Sequence, residues 1–253
     1  MELFGVVNAS PDSLNTDSGV DGAAEATARI RQVLAEGASG IDVGGQGSTG
    51  FATLAEWQIE WERVQPALTA AIGLCDDVSI DTFRLEVAEQ ALSAGATTLN
   101  AANGMQDDKF WALAAEHEAK VVVPFINGPD PFNLTHVIGD PIDRMLEYFE
   151  DRLRVADRFG LRDRCLIDPG TGFGPHGWDW ADRFVYQKQV YGDLGRLRSL
   201  GLPLYIPFPW KDTADHRLLL DLVLAQRPEY GRAHYPATII AAADRLEALN
   251  SLD

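Results

Sequence analysis

The sequence is short of positive charge. Its 38 acidic residues outnumber 21 Lys and Arg, for a formal net charge of minus 17. A polyanion would be repelled, and no Lys/Arg run offers a track for counter-ion release, so nucleic acid is excluded as a partner. Cysteine is scarce too. Cys75 and Cys165 stand far apart without CxxC spacing, which excludes a disulfide framework and a thiolate metal cluster; both are expected to be buried thiols. No apolar run approaches the ~18 residues that span a bilayer. The chain enters "LFGVVNAS" without the basic region of a secretory leader, so no membrane association is expected and the cytoplasm is the expected compartment.

What remains is the composition of an ordinary globular chain, 253 residues with 46% hydrophobic and 23% charged, long enough for one large domain or two small ones. Eight short apolar runs recur along it: "LFGVVN", "GIDVGG", "VSIDT", "TTLNA", "KVVVPF", "RCLIDPG", "LPLYIPF" and a weaker "GRAHY". Between them lie stretches with apolar residues at helical spacing. In "AAEATARIRQVLAEGA", Ala26, Ile30, Val33 and Leu34 share one face. A doubly wound open sheet would alternate in the same way, and the count of eight favours an α/β fold of the (β/α)8 TIM-barrel type. "FINGPDPFN" and "DPGTGFGPHG" are bounded by such elements and read as long βα loops. With no internal linker, one barrel domain over 1–253 is expected.

In such a barrel the site is built at the carboxyl ends of the strands, so the polar residue that closes each apolar run is the first place to look. That rule selects Asn8, Asp42, Asp81, Asn100 and Asp168 at the ends of runs one, two, three, four and six, then Lys211 after run seven, and Arg232 with His234 in run eight. Asp81, Asn100 and Asp168 together suit a planar heterocycle with amino, ring N–H and carbonyl groups. Lys211, Arg232 and His234 form a cationic half that suits a leaving phosphate or pyrophosphate, with Asn8 open to a hard metal ion such as Mg. Singly, each has an ordinary reading as a cap, a turn residue or a solvated side chain. The joint pattern carries the expectation.

These residues stand in segments that resemble the dihydropteroate synthases, the pterin-binding barrel family. "GVVNASPDSLNTDSG" resembles the family's "NxTPDSF...GG", "GIDVGGQGST" resembles "IDVGGESTRPG", and "VSIDTFRLEVAEQALSAGATTLNAANG" resembles "SVDTxRxxVAxxALxAGAxxINDVSG". "LIDPGTGFG" is similar to "DPGIGFGK", "LGLPLYIPFPWKD" to "LGxPxLxGxSRKS", and "GRAHYPATIIAAADRLEA" to "RVHDVxxTxxALxx". The match is collinear from about Leu3 to Glu247. It implies that Asp81, Asn100, Asp168, Lys211 and Phe173 hold a pterin ring, with Asp81, Lys211 and Asp168 catalytic. It implies pyrophosphate on Asn8, Arg232 and His234, Mg on Asn8, and an acceptor side at Ser48, Thr49 and Asp212. The implied reaction joins 6-hydroxymethyl-dihydropterin pyrophosphate to p-aminobenzoate with loss of pyrophosphate. Family members are commonly homodimers, and "IIAAADRLEALNSL" offers an apolar face that either pairs two copies or, as outer barrel helices favour, packs on the barrel.

The resemblance fails in one place more than others. Gly50-Phe51 replaces the family's Arg-Pro, and Pro209-Trp210-Lys211-Asp212 replaces Ser-Arg-Lys-Ser, both on the acceptor side. Ala101, Pro175 and Tyr235 stand for an Asp, a Lys and an Asp, and run five lacks Met-His-Met. Loss of an Arg removes a charge-assisted contact to a carboxylate, and Asp212 adds repulsion. A pterin-binding paralogue with another acceptor, or with no condensation activity, is therefore the alternative. A methyltetrahydrofolate methyltransferase on the same barrel would have no use for Arg232 and His234. Trp178 and Trp180 are candidates for ring contacts beside the "DPGTGFG" loop.

Overall fold

The computed structural model describes residues 1–10, 18–47 and 54–250. Eight strands alternate with eight helices: β1 Glu2–Asn8, α1 Gly22–Ala35, β2 Gly40–Gly44, α2 Trp57–Ile72, β3 Val78–Thr82, α3 Leu85–Ala94, β4 Thr98–Ala101, α4 Asp108–Glu116, β5 Lys120–Pro124, α5 Pro141–Arg158, β6 Cys165–Asp168, α6 Trp180–Asp193, β7 Tyr205–Pro207, α7 Ala214–Ala225, β8 Tyr230–Ala233 and α8 Pro236–Asn250. All pairings are parallel, in the order β6-β5-β4-β3-β2-β1-β8-β7. The ends meet at one bridge, Ile167 to Leu204, helped by the Ile167 N–H donating to the Pro203 carbonyl at 2.9 Å. The result is a nearly closed (β/α)8 barrel, as the run count predicts.

Successive side chains of a strand point to opposite faces, so each strand feeds two apolar clusters. Phe4, Val122, Leu166 and Tyr205 pack inside the barrel. Val7, Ile41, Val43, Ile80, Leu99 and Ile167 point outward into the shell between barrel and helices. Each fully buried side chain of this kind contributes roughly 1.5–3 kcal/mol. The helices supply the other side of that shell. Ala26, Ile30 and Val33 of α1 are buried as expected, with Leu34 partly so. The apolar stripe of α8 also packs on the barrel, where Ile239 and Ala242 are buried.

Three details depart from the sequence reading. Asp42 lies in the middle of β2, not at its end, and His234 falls just beyond β8. Cys165 is buried but Cys75 is only half-buried. Cys75 follows α2 at the amino-terminal rim, where its thiol lies against the carbonyls of Ser39 and Asp77.

Candidate active site

The strand register converts a scattered set of polar residues into one constellation. Asp81 pairs with Asn100 and with Gly44, Val6 with Asp42, Pro124 with Asp168, and Pro207 with Arg232. By alternation from the interior residues Phe4, Val122, Leu166 and Tyr205, the side chains of Asp42, Asp81, Asn100, Asp168 and Arg232 all turn inward, above the apolar plug. Four of them, Asp42, Asp81, Asn100 and Arg232, form one hydrogen-bonded network. Arg232 Nη1 donates to Asp42 Oδ2 at 3.1 Å and closely to Asp81 Oδ2. Asn100 Nδ2 donates to both oxygens of Asp42, at 3.4 and 3.3 Å. Asp168 ends β6 and accepts the Gly170 N–H at 2.7 Å. Gly170 is required there: its φ is +67°, and a Cβ would stand 1.9 Å from the Phe125 carbonyl oxygen.

Burial governs the electrostatics of this group. It pushes Asp168 up to about 7, with the Gly170 N–H and Arg232 only partly opposing. Burial likewise raises Asp81, against the pull of Arg232 and with a further push from Asp42. For Arg232, burial disfavours the charge, but Asp81 and Asp42 offset this and hold the guanidinium well above its usual value. His234 is pulled down to about 3 by burial, then by Arg232 and Arg29. It is therefore neutral near pH 7, with Nδ1 2.9 Å from the Ser18 hydroxyl oxygen.

Above this network opens a cavity of about 350 Å³. Of the residues selected from the sequence, Asn8, Asp42, Asp81, Lys211, Arg232 and His234 line it. Asn100 and Asp168 lie outside its lining, 3% and 2% exposed. Phe173 faces elsewhere, into a small separate cavity with Asn127, Thr135 and Trp178. Trp180 lines the 350 Å³ cavity and Trp178 does not. The cationic half anticipated from Lys211, Arg232 and His234 is altered, because Arg232 is held by two carboxylates and His234 is neutral. Asp212 is exposed and ion-paired to Arg217, and it lines an adjoining cavity of about 840 Å³ that shares Trp210, Lys211, His216 and His234 with the first. Ser48, Thr49 and Gly50-Phe51 lie outside the described residues.

The helix after β6 brings residues that strand-end reasoning misses. Arg183, Gln187 and Tyr191 recur every four positions, so they share one face of α6. All three reach the loop that follows Asp168. Tyr191 shares a hydrogen bond with the Thr171 hydroxyl at 2.8 Å. Gln187 Nε2 donates to the Thr171 carbonyl at 2.7 Å, and Arg183 Nη2 to the carbonyls of Thr171 and Gly172 at 3.3 and 2.7 Å. Opposite them Trp180 and His216 stack, with centroids 4.6 Å apart and planes 2° from parallel. The four-residue spacing of polar side chains on an inward helix face was the available signal.

Among the described residues no three His, Cys, Asp or Glu side chains form a metal-binding group. Asn8 nevertheless fits a cation that is held mainly by phosphate oxygens. Its amide oxygen is a hard donor at the cavity wall, oriented by the Ser10 N–H at 3.0 Å. One such ligand suffices for Mg, which keeps waters and substrate oxygens in its shell.

Residues 4–183 match the family model described as pterin binding enzyme. The chain is 33% identical over 187 residues to a probable bifunctional folylpolyglutamate synthase/dihydropteroate synthase of Halobacterium salinarum, covering 72% of this chain and 23% of that longer protein. It is 31% identical to the dihydropteroate synthase of Synechocystis over 208 residues, which are 81% of this chain and 70% of that one. The structure superposes with a TM-score of 0.81 on Thermus thermophilus dihydropteroate synthase in complex with 4-aminobenzoate, at 27% identity, covering 98% of this chain and 94% of that one.

Proposed function

This chain belongs to the family of pterin-binding enzymes, and from that premise we propose that it is a dihydropteroate synthase-type transferase. It joins 6-hydroxymethyl-dihydropterin pyrophosphate to p-aminobenzoate and releases pyrophosphate. The observation that supports this most is the inward ladder of Asp42, Asp81, Asn100, Asp168 and Arg232 at the barrel mouth. Carboxylates and an amide on adjacent strands match the alternating donors and acceptors along the edge of a pterin ring. In that role Asp168 and Asp81 accept ring N–H groups, and Asn100 both donates and accepts. Residues 1–253 are taken as one barrel domain.

The chemistry these residues would perform is mainly electrostatic. The bond from the pterin methylene carbon to the pyrophosphate oxygen breaks, and its electron pair leaves with the oxygen. The arylamine nitrogen then bonds to that carbon and loses a proton. Carboxylates along the ring edge stabilise positive charge spreading from the methylene, and their low-dielectric setting strengthens the effect. Lys211 and Arg232 would meet the departing anion, Arg232 through guanidinium nitrogens other than the Nη1 that Asp42 and Asp81 hold. Asn8 is the residue that would hold a Mg ion, whose charge would offset that of the pyrophosphate. A cytoplasmic location and a homodimer belong to the same reading; no helix among the described residues is long and apolar enough to cross a membrane.

The direct test is pyrophosphate release from the pterin substrate with and without p-aminobenzoate. Acceptor-dependent release is expected. Tight pterin pyrophosphate binding without release would favour a pterin-binding paralogue. Asp212 lines an adjoining cavity that shares Trp210, Lys211, His216 and His234 with the first, and there it is paired to Arg217.

A further inference from the structure

The segment that should carry an acceptor-binding Arg reads Gly50-Phe51 in this chain, yet the cavity contains an arginine from another direction. Arg183 lines it from α6, makes no ion pair among the described residues, and uses only Nη2 in the hydrogen bonds it forms there. Its Nε is buried and has no hydrogen-bond partner among the described residues. Its loop contacts do not account for it fully. Gln187 and Tyr191 already fasten Thr171 through its carbonyl and its hydroxyl.

The surroundings fit a flat anion. Trp180 and His216 stack on each other and both line the same cavity. Lys211 enters from the loop after β7, with Nζ 5.4 Å from the Trp210 ring centroid and no ion pair among the described residues. Lys211 and Arg183 both lower the pKa of His216, after burial, so the three side chains share one neighbourhood. We propose that Arg183 binds the anionic group of the acceptor, an arylamine carboxylate whose ring lies toward the wall made by Trp180 and His216. The inference rests on the transferase reading and assigns its acceptor to a helix face instead of the loop after β2.

The test compares 4-aminobenzoate with the neutral 4-aminobenzamide in the full-length wild type, Arg183→Gln and Arg183→Lys. A charge-assisted contact predicts that Arg183→Gln lowers the ratio of kcat/KM for benzoate over benzamide by roughly 10- to 100-fold, through KM. Arg183→Lys should recover part of the preference. A role limited to holding the Thr171–Gly172 loop would depress both acceptors alike and leave the ratio unmoved, which overturns the proposal. Calorimetry with the pterin pyrophosphate alone separates the two levels. Loss of wild-type pterin binding would sink the transferase reading itself, whereas tight pterin binding with no turnover of either acceptor would sink only the acceptor site.

Discussion

The two halves of the barrel mouth are built by different means. On the strand side, Asp42, Asp81, Asn100, Asp168 and Arg232 have backbones fixed by parallel ladders and side chains fixed by alternation. On the helix side, Trp180, Arg183 and His216 project from the first turns of α6 and α7, and Lys211 from a loop. The first set is largely buried and, apart from Asp168, mutually hydrogen-bonded; the second is half-buried or exposed. A buried polar network tolerates change poorly, because any member removed leaves partners unsatisfied in low dielectric. Side chains on helix ends and loops are replaced with little cost to the fold. This contrast fits a likeness to the family that is dense at the strand ends and thin at Gly50-Phe51 and Pro209-Trp210-Lys211-Asp212.

Removing a strand-side carboxylate should give the largest effect. Asp168→Ala is expected to weaken pterin pyrophosphate binding by about a thousandfold, or ~4 kcal/mol, the scale for truncating a buried charged partner. Calorimetry showing wild-type affinity would erase the distinction between the halves. Next comes Arg232→Met, which leaves Asp42 and Asp81 without their cation. A loss of ~3 kcal/mol in urea unfolding at neutral pH is expected, shrinking as the pH falls and the carboxylates take up protons. Gly170→Ala forces a Cβ onto the Phe125 carbonyl at positive φ and should cost ~2 kcal/mol or more.

Acidity sharpens the contrast further. Because Asp168 sits at about 7, the folded chain holds more protons than the unfolded one between the ordinary carboxylate range and neutrality. Its contribution to stability therefore falls as the pH rises through that window. His234, at about 3, acts in the opposite sense: stability falls as the pH drops from about 6.5, the usual imidazole value, toward 3. Denaturant midpoints against pH should lose the first slope in Asp168→Asn and the second in His234→Gln. Ring N–H donors favour the ionised Asp168, so pterin binding should expel a proton below about pH 7 and weaken as the pH falls. Calorimetry in buffers of different ionisation enthalpy would detect this. The smallest effect is expected from Trp180→Ala, a few-fold rise in acceptor KM with pterin affinity retained, since the ring is exposed and its contacts to His216, Phe184 and Asp215 all lie on the helix side.

Much of this was legible from residue order. Eight apolar runs announced eight strands, and Asp81 and Asn100, nineteen positions apart, end up as register partners across β3 and β4. Asp168 was marked by its place before "PGTGFG". Arg183 and Gln187 were not, because a polar residue in a helix reads as solvated until the facing loop is known. The pairing of Arg232 with Asp42 spans 190 positions, and no local pattern encodes such a contact. The direction of Asp212 likewise depends on Arg217, one turn into α7.

The residue order by itself determined the alternation of strand and helix, and with it the inward set of carboxylates and amide, because a period of two leaves each strand residue only two directions. Closure of the barrel decided the rest. Only when β8 lies beside β1 does Arg232 meet Asp42 and Asp81, and only in that water-poor interior does burial hold Asp168 near neutrality and keep His234 uncharged.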